Sequence, residues 1–172
     1  MITQADKSLK KVKLTALISG ILTAAICAVM NFVLIPIIES TTGGIRCFDM
    51  NFGYDYEDAV RFLELLSDEG RRVYLHIQLP LDFIYPIVYC VFFISVIVLL
   101  TGKKGVILPV TLAVSDYIEN ILSIVMLRSD NIGYSITTFA STVTVIKTVL
   151  MYSCFTVIAA LIIRYLIKRK KR

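Results

Sequence analysis

The chain has 172 residues, 57% of them hydrophobic, and a mean hydropathy of +0.78. So few polar positions cannot cover a water-facing exterior, and the apolar residues come in long blocks instead of a 3.6-residue stripe. A soluble globular domain is excluded in favour of an integral membrane protein. The formal net charge of +5 does not point to nucleic acid, because the basic residues gather at the chain ends and one turn while eight acids fall within residues 39–69.

The first apolar block follows Lys7, Lys10, Lys11 and Lys13 and predicts a span over about residues 14–38. It is too long for a signal-peptide core and lacks a small-residue cleavage site. Asn31 and Pro36 sit in its outer half. Residues 39–75 form the only sizeable polar loop. Within it Ala59, Val60, Phe62, Leu63, Leu65 and Leu66 recur at helical spacing behind Asp55, Glu57 and Asp58. This predicts a short amphipathic helix over about 56–66, lying on the outer face with its apolar side capping the bundle.

Ser67, followed by Asp68 and Glu69, is a helix-start signal for the next element. The second span is expected over about 76–100, with Pro80 and Pro86 bending it and freeing backbone carbonyls. His76 reads as an interfacial polar residue, not a metal ligand. The basic residues of 101–105 form a tight turn, so the second and third spans (the latter 106–127) are antiparallel neighbours. A short outer loop leads to a fourth span over about 140–166, where Arg164 can snorkel to the headgroups and Lys147 lies too deep to do so.

Basic ends and turn alternating with an acidic loop place both termini in the cytoplasm. The expected fold is therefore all-α: a single-domain transmembrane four-helix bundle over 1–172, multi-pass in the cell membrane. The basic run 168–172 is expected to meet anionic lipid headgroups. Of the four cysteines none forms a CxxC pair, and Cys27, Cys90 and Cys154 fall in apolar blocks, so disulfide redox chemistry is not expected. No metal site or cofactor is expected either.

The polar residues inside the spans carry the functional signal. Asp116, Glu119 and Asn120 are three and four residues apart and share one helix face. Ionised acids at such depth cost several kcal/mol each. Counting back from Gly105 puts Asp116 roughly 17 Å and Glu119 roughly 21 Å above the inner surface, against about 18 Å for Tyr89, 24 Å for Tyr85 and 28 Å for Asp82. Asp82, Tyr85 and Tyr89 again share one face, and Asn31 and Lys147 also reach the outer half. This coincidence of level predicts a polar pocket open to the outside, lined by Asp82, Tyr85, Tyr89, Asp116, Glu119 and Asn120, with Asn31 and Lys147 as further members.

Certain motifs resemble a widespread family of uncharacterised small bacterial four-span integral membrane proteins. They are Gly53-Tyr54, Asp68-Glu69-Gly70-Arg71 with Tyr74, Leu81-Asp82 with Tyr85-Pro86 and Tyr89, and Asp116 with Glu119-Asn120. The resemblance covers about the middle half of the chain and implies topology but no activity. The size and buried acids are also similar in architecture to sterol-isomerase and sigma-2-receptor-like membrane proteins, whose motifs have no counterpart here.

Three functions compete at this stage. The acids could bind or transport a cation, a proton or a cationic amphiphile, held by carboxylates and tyrosine faces; transport by so small a bundle would call for a homo-oligomer. The polar network could instead be helix glue in a structural or regulatory subunit. Or Asp116 and Glu119 could serve as acid and base in a lipid isomerase or hydrolase. No nucleophile–base motif, HExxH or phosphate loop accompanies them, so an enzyme ranks last and binding or transport first.

Overall fold

A computed structural model describes residues 4–102 and 105–170. Lys103 and Lys104 of the expected basic turn, and Lys171 and Arg172 of the basic end, lie outside the described residues. The described chain is helical and without strands, and four of its helices are long and apolar enough to cross a membrane. This architecture fits the expected four-helix transmembrane bundle.

Helix α1 (Gln4–Val29) passes through a π-turn (Met30–Leu34) into α2 (Ile35–Ser40). The next ascent repeats the device: α4 (Asp68–Val73) leads through a π-turn (Tyr74–Gln78) into α5 (Leu79–Thr101). Each π-turn ends two residues before a proline, Pro36 or Pro80. A proline ring collides with the carbonyl four residues back and offers that carbonyl no N–H. Here those carbonyls belong to Phe32 and His76, inside the widened turns, so the helix continues around the defect instead of breaking. α5 ends at Gly102, whose φ of +70° lets its amide close back onto Val98 O at 2.9 Å. Two further helices complete the set, α6 (Ile107–Arg128) and α7 (Tyr134–Lys170).

α1 packs along α5, α5 along α6, and α6 along α7, while α5 also meets α7. Helices α5, α6 and α7 thus surround a common interior, and α1 is laid against α5. Gly20 permits that approach: a Cβ there would lie 2.9 Å from the Phe92 ring.

The outer loop forms a cap. α3 (Tyr56–Leu65) begins at Asp55, whose carboxylate accepts from Asp58 N at 2.8 Å, and α4 begins at Ser67, whose hydroxyl accepts from Gly70 N at 3.1 Å. α3 buries Ala59 and Phe62 against Phe48, Tyr74, Ile38, Leu127 and Ala140, so its apolar face closes the outer end of the bundle as expected. Arg71 ties the cap down. Its guanidinium donates to the carbonyls of Leu127, in the last turn of α6, and Leu63, in the last turn of α3. Two helix C-termini, each with orphan carbonyls and a negative dipole end, are therefore satisfied by one cation.

Gly70 faces Thr41, and a Cβ there would stand 2.2 Å from Thr41 Oγ1 and 2.9 Å from Leu66 Cδ1. Gly70→Ala is expected to lower stability by about 1–3 kcal/mol through overpacking, read as a lower melting temperature in detergent. An unchanged melting temperature would mean the cap is not packed this tightly.

Candidate functional site

The carboxyls of α6 meet the lysine of α7 in the interior. Lys147 Nζ is hydrogen-bonded to Glu119 and stands 3.7 Å from Asp116 Oδ1. Tyr89 donates to Asp116 Oδ2 at 2.9 Å, and Thr144 donates to Glu119 Oε1 at 2.6 Å. Asp82, Asp116, Glu119 and Asn120 are only 5%, 3%, 1% and 1% exposed.

Pro86 explains one further link. It has no N–H for the carbonyl of Asp82, four residues before it, and the Asn120 side chain supplies the missing donor to Asp82 O at 3.0 Å. One turn of α6 earlier, Tyr117 donates to Phe83 O at 2.9 Å. The proline and the asparagine are thus two halves of one joint. Asn120→Leu should orphan the Asp82 carbonyl and cost about 1–3 kcal/mol; a melt at wild-type temperature would contradict this joint.

Seven of the eight expected residues are buried or half-buried on or near this interior. Tyr85 stacks edge-on against Tyr89 with ring centroids 5.1 Å apart and reaches the Cys27 thiol of α1. Asn31 does not join them. Its side chain is exposed and donates to the Cys27 carbonyl in its own helix at 2.9 Å. The reason is lateral: α1 packs mainly on α5, and the π-turn that carries Asn31 packs on the π-turn Tyr74–Gln78. Depth alone could not reveal this.

The acids of the expected pocket are brought together in a buried cluster. Five clefts of the molecule are lined by other residues, and the outer loop approaches the cluster. A 3-10 turn (Phe48–Met50) brings Asp49 down, where its carboxylate accepts from Tyr74 at 3.0 Å and lies within electrostatic reach of Asp82, Asp116, Glu119 and Lys147. Tyr54 is anchored by its own amide on Ser141 Oγ at 3.0 Å. Its buried hydroxyl reaches Thr144 and Glu119 without making a hydrogen bond of ordinary geometry. Burial first, then the Glu119 charge, hold the Tyr54 phenol above its usual pKa, so it stays neutral.

Asp49, Tyr54, Thr144 and Gln78 are absent from the expected set. Gln78 lies one turn before Asp82 and is fully buried with both amide atoms unpartnered among the described residues. Asp116 Oδ1 likewise makes no hydrogen bond. Two of them carried a sequence signal: Thr144, at i−3 from Lys147 on a Thr-rich helix, and Tyr54, in the Gly53-Tyr54 motif. Among the described residues no group of three or more His, Cys, Asp or Glu side chains is placed to hold a metal ion. All four cysteines are free thiols.

Comparison with protein-family models, with curated proteins and with solved structures finds no match for this chain.

Proposed function

We propose that this chain is a small multi-pass protein of the cell membrane that binds a proton or a small monovalent cation among Asp82, Asp116 and Glu119, beneath the outer-loop cap. The observation that carries this reading is charge imbalance. Three membrane-level carboxyls face a single lysine, and Lys147 serves Glu119 and Asp116 but has no contact with Asp82. An unpaired carboxylate in hydrocarbon costs several kcal/mol, and uptake of a proton or cation removes that cost. The unpartnered polar atoms of Gln78, Asp116 and Tyr54 offer further ligands at the same place. The burial of the acids, each 5% exposed or less, favours a small ion over a cationic amphiphile. Transport by this bundle would run through a homo-oligomer, with both termini in the cytoplasm. Membership in the bacterial four-span family is proposed on the motifs quoted above.

The test is infrared difference spectroscopy of the carboxyl C=O stretch in purified protein. A protonated-carboxyl band at neutral pH should be present in the wild type, absent in Asp82→Asn and retained in Glu119→Gln. Its loss on adding Na⁺ or K⁺ would identify a competing cation. Fully ionised carboxyls with no cation uptake would overturn the reading.

A second reading has its own observation. The bonds Lys147–Glu119, Thr144–Glu119 and Tyr89–Asp116 are all made, as helix glue requires. The two readings divide the cluster between them: Glu119 and Lys147 hold the helices, and Asp82 carries the ion chemistry.

A further inference from the structure

A cleft of about 700 Å³ lies away from the carboxyl cluster, where α3, α4 with the π-turn after it, the end of α6 and the loop after it converge. Its walls are of two kinds. Leu63, Leu75 and Leu127 supply an apolar floor, continuous with the outer ends of the membrane helices. The rim carries four charges, Arg71 and Arg128 against Glu64 and Asp130. Among the described residues none of these four forms an ion pair within 4.0 Å. Opposite charges in comparable number therefore face one cleft without neutralising one another.

One of them is prepositioned. Arg71 is half-buried, and its guanidinium is fixed by the carbonyls of Leu127 and Leu63. These neutral acceptors orient the fork but carry no full charge, and they use two of its five N–H donors, leaving the others for an anion. Arginine held in this way suits the oxygens of a phosphate. Glu64 and Asp130 would repel a purely anionic ligand and attract an ammonium group. Tyr56, also on the rim, adds a ring face for such a cation.

We infer that this cleft binds the headgroup of a zwitterionic phospholipid, phosphate toward Arg71 and Arg128 and ammonium toward Glu64 and Asp130. The apolar floor receives the start of the acyl chains. The cleft stands at the level where apolar helix gives way to polar loop, which is the level of headgroups. The site is independent of the proposed ion binding.

The probes are dihexanoyl-phosphatidylethanolamine, dihexanoyl-phosphatidylglycerol and inorganic phosphate, titrated calorimetrically into the full chain in detergent. The ethanolamine lipid should bind about tenfold more tightly than the glycerol lipid, the size of one charge-assisted contact, and inorganic phosphate should not compete. Arg128→Gln and Glu64→Gln alter exposed rim residues, and each should weaken the ethanolamine lipid about tenfold while leaving the lipid-free melting temperature unchanged. Equal binding of both lipids would show unselective coating of the apolar surface. Competition by inorganic phosphate would show a free-anion site. Either result, or full binding by both variants, overturns the assignment.

Discussion

Lys147→Met is expected to lower the stability of the folded chain by about 3–5 kcal/mol, since removing one partner of a buried ion pair leaves the other as an uncompensated charge. Among the described residues Lys147 is the only cation paired with these acids, hydrogen-bonded to Glu119 and 3.7 Å from Asp116. Its loss also leaves Glu119 to the hydrogen bond from Thr144. The measurement is chemical or thermal unfolding in detergent. The double variant Lys147→Met, Glu119→Gln should recover part of the loss, because a neutral amide can still pair with Thr144. If Lys147→Met were as stable as the wild type, the ion pair would not organise the interior.

Asp82→Asn should behave in the opposite way. Asp82 makes no ion pair within 4.0 Å among the described residues and feels the charges of Asp116 and Asp49 ahead of that of Lys147. Its backbone carbonyl, not its carboxyl, makes the bond to Asn120. Replacing the carboxyl by an amide of the same shape therefore removes repulsion without breaking a bond, and stability should hold or rise by about 0.5–2 kcal/mol, the usual result of neutralising a strained functional group. The same variant should abolish proton or cation uptake, seen as loss of the neutral-pH protonated-carboxyl band. A variant that is both destabilised and spectrally unchanged would assign Asp82 to the helix glue and remove the basis for ion binding. The pair of variants thus separates the two readings: one loses the fold, the other the function.

The outer-loop motifs acquire distinct physical roles. Gly70 gives room for Thr41, and Arg71 caps two helix ends. Tyr74 holds Asp49, and Tyr54 sits over Glu119. All of them fasten the loop to the bundle.

Hydropathy, length and helix-start chemistry were enough, on the sequence alone, for the four long helices, the capping helix behind Asp55, the start at Ser67 and the shared level of Asp82, Tyr89, Asp116 and Glu119. These are properties of periodicity and rise, which are local and regular. Periodicity also put Tyr89 and Asp116 at matching depths across a tight turn, and their hydroxyl–carboxylate bond follows from that. Rotation about the bundle axis and the path of an irregular loop are not local. Asn31 has the right depth but the wrong neighbour, because which helix packs on which is decided by side-chain fit across the interface. Asp49 and Tyr54 lie in a segment with no period, and only long-range contacts to Tyr74, Ser141 and Thr144 bring them over the acids. The tertiary structure alone decided that the acidic centre is buried and that Lys147 bonds Glu119 and approaches Asp116.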